Sequence, residues 1–340
     1  MIKFAHVGFP KCASTWLQSE VFSKHDDIFF LGRRPGDKII SDEIRTLFWS
    51  TFLDAREFAY EQSNTKSLLA PYLRLAEDAE KQAIGLSLEQ LLHPHIGRIE
   101  LGERAKRLYD FMGANTKIII VIREQEAWIK SYYSNLVSEI GVTVTFEEFK
   151  NYFFAEKDIS PLSTLYYDRV YDVYSELFGY DNVKVVPMES IKNSVSEFSN
   201  EILRFIGVSP LNNLNTEKRN ESASEEHFSA QFYLNNQEGY RLGRSTSIHR
   251  AFGWQARSIY SDDSGFELPQ PYQNDQALYL KSWRIENLLK DKPEIRKKLQ
   301  PINRDFSECE KERIRKVYIH SNRRLQELSG IELSQYGYVL

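Results

Sequence analysis

The sequence predicts an α/β protein of three layers, α/β/α, with a central mostly parallel sheet and a helical C-terminal part. Three observations carry that prediction. A short apolar stretch at the start breaks at Gly8-Phe9-Pro10 and gives way at about Ser14 to a helix. A run of five β-branched residues, Ile118 to Ile122, ends at Arg123 and is followed by a helical pattern. The same alternation recurs along about the first 210 residues, and repeated strand-helix units build a parallel sheet covered on both faces.

Taken in order, Ile2 to Gly8 is too short for a stable helix and is bounded by turn residues, so it reads as a buried strand. "QAIGLS" (82–87) is a weaker strand, and the helix near 102–112 stops at Gly113. "KIIIVI" (117–122) is the clearest strand, because unbroken β-branched residues suit burial on both faces. After it, Trp128, Ile129, Tyr132, Tyr133, Leu136 and Val137 share one helix face. A helix over about 166–178 gathers Val170, Val173, Tyr174, Leu177 and Phe178 on one face and stops at Gly179. The strand "VKVV" (183–186) leads to a helix that opens on Ser194-x-x-Glu197, a capping-box pattern, and closes at Gly207.

Residues 212–275 break the alternation, being polar and rich in Asn, Ser and Gly. From Gly239 to Ser261 there is no acidic residue to balance Arg241, Arg244, His249, Arg250 and Arg257. The segment reads either as a partly ordered active-site cover or as a solvated surface loop. Residues 276–330 return to helical patterning, with a basic run at "EIRKKL". The expected organisation is one domain of 340 residues, with a core over about 1–210, a cover over about 212–275 and C-terminal helices over about 276–340.

A formal net charge of −4 provides no global attraction to nucleic acid, so any anion site must be local. Two cysteines, Cys12 and Cys309, suit a reducing compartment. No window approaches the about 18 apolar residues of a membrane span, and "MIKFAHVGFPK" leaves no room for a signal peptide. The expectation is a cytoplasmic protein.

The opening loop has the chemistry of an anion cradle. In a G-x-x-x-x-G-K-S/T loop the lysine directly precedes the hydroxyl residue that ligates Mg²⁺. Here Lys11 stands three residues after Gly8 and three before Ser14, inside the loop. Backbone N–H groups from Cys12 onward and the positive end of the helix still favour an anion, with Lys11 reaching it from the side. A metal-dependent nucleotide enzyme also needs a carboxylate, commonly at a neighbouring strand end, and "IIIVI" ends instead in Arg123. An arginine at that edge can fork onto a second phosphate in the crevice where open sheets bind ligands. Ser131 follows eight residues later, among Ala127, Ser134, Asn135 and Ser138, on a face free of large apolar residues. Two anion sites on adjoining strands suggest a nucleotide carrying phosphate at two places.

"GFPKCASTWL" resembles the 5′-phosphosulfate loop of the sulfotransferases that use 3′-phosphoadenylyl sulfate (PAPS), and "IIIVIREQEAWIKSYYSN" resembles their 3′-phosphate unit. "IGLSLEQLL", "LFGYDNVKVVPMESI" and "SGIELSQYGY" resemble flanking segments of the bacterial branch. The resemblance implies a P-loop-like fold and metal-free transfer of a sulfuryl group from PAPS to an acceptor hydroxyl or amine, leaving 3′,5′-ADP. It implies that Lys11 holds the leaving-group oxygen. Ser14, Thr15 and the adjacent backbone of Cys12, Ala13 and Trp16 hold the 5′-phosphate. Arg123 and Ser131 hold the 3′-phosphate, and Lys218 and Arg219 of "EKRNESAS" stand for a later basic element.

Some carbohydrate-acting members carry a Lys-Glu pair where this chain reads "FFLGRRPGD", so the general base falls to Glu89, His93 or His95. Arg33 and Arg34 either bind an anionic acceptor or form a solvated turn. The acceptor implied is a saccharide or other hydroxylated molecule, on which Tyr240, Phe252, Trp254 and Tyr260 would stack if they do not simply pack. Two other readings stand beside this one. One is a nucleotide or small-molecule kinase with an atypical loop; the other is a non-catalytic PAPS- or glycan-binding module.

Overall fold

The structure, a computed structural model, describes residues 1–32, 51–53, 55–92, 99–140, 142–158, 161–211, 214, 224–239, 285 and 289–340. The β-branched run has no polar face to offer solvent, and the strand it forms, β4 (Thr116–Ile122), lies buried inside the sheet. β1 (Ile2–His6) pairs with it in parallel, Lys3 opposite Thr116 and His6 opposite Ile119. On its other side β1 pairs with β3 (Ala83–Ser87), Ile2 opposite Ala83 and His6 opposite Ser87. β2 (Ile28–Phe30) and β5 (Val183–Pro187) complete an all-parallel sheet of order β2-β3-β1-β4-β5. The chain leaves β1 toward β2 and leaves β4 toward β5. Strand order therefore reverses between β1 and β4, and a crevice opens there at the C-terminal edge.

The helices are α1 (Ser14–Trp16), α2 (Gln62–Ser67), α3 (Ala70–Asp78), α4 (Leu101–Met112), α5 (Gln125–Asn135), α6 (Phe146–Glu156), α7 (Tyr167–Phe178), α8 (Val195–Ile206), α9 (Glu225–Gly239) and α10 (Glu308–Ser329). Successive strand residues point to opposite faces, and β1 shows which helices lie on each. Ile2 approaches Gly207 at the end of α8, while Lys3 donates through Nζ to the Met112 carbonyl at the end of α4. Phe4, on the same face as Ile2, packs on Phe22 at 5.2 Å in the π-helical turn Leu17–Phe22 that continues α1. Trp16 reaches Phe198 of α8 on that side. On the other face Tyr109 of α4 meets Phe178 of α7 edge-on at 5.3 Å. α10 lies behind α7, where Asp168 accepts from Ser321 and Arg324. The predicted three layers and parallel sheet are therefore the observed ones.

Several local expectations change. The first strand ends at His6 rather than Gly8, although Val7 and Phe9 still donate to the Ile119 and Val121 carbonyls. Only half of the box at Ser194 forms: its hydroxyl accepts from Glu197 N–H at 3.1 Å, but its own N–H is taken by the Ser190 carbonyl. The Glu197 carboxylate pairs with Arg204 instead. Complete capping boxes open α6, at Thr145 and Glu148, and α10, at Ser307 and Glu310. Residues 225–239 of the expected loop-rich cover are the packed helix α9, with Phe228 and Ala230 buried and Asn235 donating to the Val137 and Val142 carbonyls. Among the described residues no helix is long and apolar enough to cross a membrane.

Gly85 lies opposite Phe4, whose ring fills the space of a side chain: a Cβ there would stand 2.2 Å from Cε1. Gly85→Ala is expected to cost about 1–3 kcal/mol through overpacking. The check is a lower urea midpoint with an unchanged slope.

Candidate functional site

The loop after β1 approaches the sheet closely because Gly8 has no side chain. A Cβ at that position would stand 2.4 Å from Nε2 of the buried His6. Beyond it, Lys11 and Ala13 adopt left-handed backbone angles, φ 65° and 60°, a conformation costing non-glycine residues about 1–3 kcal/mol each. Three consecutive carbonyls hold the loop in this shape. That of Phe9 accepts from Ser14 Oγ at 3.4 Å, that of Pro10 from Trp128 Nε1 at 2.9 Å, and that of Lys11 from the Arg123 guanidinium at 3.2 Å. The Phe9 ring also meets Tyr167 edge-on at 5.0 Å. Both sequence motifs are thus joined at one crevice, between β1 and β4.

The two helix starts at this edge differ electrostatically. Ala13, at the N-cap of α1, has no side chain to cap it, so the first-turn N–H groups of Ser14 and Thr15 have neither an intrahelical acceptor nor a capping side chain. That end is open to an anion. At α5, the Glu124 carboxylate accepts from the Glu126 and Ala127 N–H groups at 2.9 and 2.8 Å. Burial pushes the Glu124 carboxyl above its ordinary value, while those two backbone bonds favour the charged form. The positive end of α5 is therefore already occupied by the side chain of its own N-cap residue.

Lys11 is half-buried and makes no ion pair among the described residues. Cys12 is fully buried, and burial pushes its thiol well above its ordinary value despite the opposing fields of Arg123 and Lys11. It is a protonated packing residue rather than a reactive thiolate. The Trp16 indole packs toward Phe198 and is largely buried. Ser131 lies half-buried in the second turn of α5. The small-residue face around it is less open than its composition suggests: Arg304 donates to Ser134 Oγ at 2.9 Å, and Lys130 pairs with Asp305 at 3.1 Å.

Glu89 begins a 3₁₀ turn just beyond β3, Glu89–Leu91. The turn is held by Leu88 N–H on the His6 carbonyl and by Arg104 on the Gln90 carbonyl, at 2.9 and 3.0 Å. Beneath it, Ser87 Oγ bonds His6 Nδ1 at 2.7 Å and Gln18 Nε2 at 2.9 Å. His6 and Ser87 are register partners, so Glu89 shares the edge of the opening loop. Cys12 feels the charges of Arg123, Glu189, Glu89 and Lys11, a cluster of two cations and two carboxylates.

Glu189, just after β5, is the member that sequence reading missed. It accepts from Glu124 N–H at 3.0 Å and from the Tyr338 hydroxyl at 3.2 Å. Its signal was positional: "VVPMES" ends a strand at the same edge as Arg123. His93, His95, Lys218, Arg219, Arg33, Arg34, Tyr240, Phe252, Trp254 and Tyr260 lie outside the described residues, as does the basic stretch from Arg241 to Arg257. Among the described residues no three His, Cys, Asp or Glu side chains gather as a metal site.

The fold defines an open parallel α/β protein with an uncapped helix start where strand order reverses. The chain matches no protein-family profile and no curated protein. Among solved structures it is similar to a sulfotransferase from Alicyclobacillus acidocaldarius, at 20% identity and a TM-score of 0.44 over 74% of this chain and 99% of that one.

Trp128 is fully buried, and its indole is the side-chain donor to the Pro10 carbonyl. Trp128→Phe is expected to cost about 1–3 kcal/mol because it strands that carbonyl. Urea denaturation measures the loss.

Proposed function

We propose that this chain is a PAPS-dependent sulfotransferase that sulfates an acceptor hydroxyl. The single observation that supports the reading is the Arg123 guanidinium resting on the Lys11 carbonyl, which brings the loop after β1 and the residue after β4 side by side. The residues fit such a donor. The first turn of α1 is uncapped, Lys11 has no competing ion pair among the described residues, and Arg123 stands beside the loop rather than in a distant salt bridge. When bound, PAPS supplies the sulfuryl group and leaves as 3′,5′-ADP.

The protein's part in the transfer is positioning and charge stabilisation. Ser14, Thr15 and the loop backbone bind the 5′-phosphate, while Arg123 with Ser131 binds the 3′-phosphate and so distinguishes the nucleotide from 5′-monophosphates. Lys11 meets the negative charge that grows on the leaving oxygen, and an interaction that strengthens in the transition state raises the rate. Glu89, on the same sheet edge, accepts the proton of the acceptor hydroxyl. A saccharide or other hydroxylated molecule is the proposed acceptor class, with Lys218, Arg219 and the basic 239–261 stretch as the proposed cover.

Calorimetric titration with 3′,5′-ADP, 5′-AMP and Mg-ATP tests the reading. Tight, Mg²⁺-independent binding of the bisphosphate is expected, and a preference for Mg-ATP overturns the proposal in favour of a kinase. Arg123→Ala should weaken 3′,5′-ADP by about tenfold or more and 5′-AMP by a smaller factor, that of the lost bond to the Lys11 carbonyl. Lys11→Ala should lower transfer by about a hundredfold or more while affinity for 3′,5′-ADP stays within a few-fold of wild type. Transfer at the wild-type rate would remove Lys11 from the mechanism.

A further inference from the structure

The aim of the Arg123 side chain depends on the peptide that joins it to Glu124, and that peptide is held at both ends. Its carbonyl accepts from the Tyr167 hydroxyl at 2.6 Å, and its N–H donates to the Glu189 carboxylate at 3.0 Å. The other Glu189 oxygen accepts from the Tyr338 hydroxyl at 3.2 Å. A peptide unit is planar, so fixing it fixes ψ of Arg123 and φ of Glu124 together.

The donors come from α7 and from the C-terminal segment after α10. That segment is itself tied to α5: buried Asn322 donates to the Val339 carbonyl at 3.0 Å and accepts from Gln125 Nε2 at 2.7 Å. Tyr167 and Tyr338 are both buried, and burial pushes both phenols well above their ordinary value, so both hydroxyls remain donors. The same bonds occupy nearby acidic groups. Glu189 is engaged by the peptide and Tyr338, and Glu124 by its own helix, so neither carboxylate pairs with Arg123 among the described residues.

We infer that Tyr167, Glu189 and Tyr338 form a clamp on the Arg123–Glu124 peptide that aims Arg123 at the 3′-phosphate of the nucleotide. The C-terminal segment thereby becomes a positioning element of the nucleotide site. A guanidinium aimed in advance loses less freedom on binding than one that must be ordered by the ligand. The inference rests on the PAPS reading above.

The test is calorimetry on the full chain with 3′,5′-ADP and 5′-AMP, for wild type, Tyr338→Phe, Glu189→Ala and Glu189→Gln, with Tm recorded for each. Tyr338→Phe and Glu189→Ala should lose about fivefold to tenfold in 3′,5′-ADP affinity, the size of one ordinary hydrogen bond, with 5′-AMP affinity unchanged. Glu189→Gln keeps an oxygen for Glu124 N–H and should retain most of the bisphosphate preference. A general structural role would lower Tm and weaken both nucleotides alike, and that result overturns the clamp. So does an unchanged bisphosphate-to-monophosphate ratio in Tyr338→Phe and Glu189→Ala. If wild type itself shows no bisphosphate preference, the PAPS reading fails first and the clamp falls with it.

Discussion

Three consecutive carbonyls, those of Phe9, Pro10 and Lys11, are the constraint on which the site depends. Each accepts a side-chain hydrogen bond, two of them from the strand-helix unit on the neighbouring strand. The loop they hold contains two left-handed non-glycine residues, whose cost of about 1–3 kcal/mol each is comparable to the about 1 kcal/mol that a hydrogen bond contributes. The shape therefore persists because β4 and α5 hold it, not because the loop sequence favours it. Parallel pairing of β1 with β4 puts the donors within reach, which makes the sheet register a condition of the site geometry.

The electrostatics of the edge follow from how each helix start is finished. α1 begins after an alanine and leaves its first N–H groups without a side-chain cap, whereas α5 begins after a glutamate that satisfies them internally. Side chains accordingly do different work in the two units. In the proposed nucleotide site a lysine would supplement the backbone at α1, while at α5 an arginine would act with a hydroxyl along the helix. Of the carboxylates nearby, Glu189 is engaged by the Glu124 N–H and Tyr338, and Glu124 by the N–H groups of its own helix. Burial keeps Cys12 protonated between these charges, so the loop holds a thiol as filler without adding a reactive group.

Sequence alone determined the features that follow from local pattern. Five β-branched residues make a two-faced buried strand wherever they fall, strand-helix alternation implies a parallel sheet, and the break at Gly8 to Pro10 ahead of Ser14 marks a loop before a helix. The place of Arg123 at the sheet edge was legible because it directly follows the clearest strand. Short or weakly patterned elements were less legible. β2 has three residues, and α6, whose sequence mark is the capping pair Thr145 and Glu148, was not among the expected helices, whereas α10 falls within the helical patterning of 276–330.

What only the tertiary structure decided is which separated residues meet. Arg123 and Lys11 are 112 positions apart, Trp128 and Pro10 118, and Tyr338 and Glu189 149, and no periodicity in one segment encodes its partner in another. The Ser194 pattern shows the same limit at short range. Glu197 could close the box, but Ser190 already satisfies the N–H and Arg204 offers the carboxylate a charge. Local chemistry lists the bonds a residue can make; competition among neighbours brought together by the sheet selects the ones it does make.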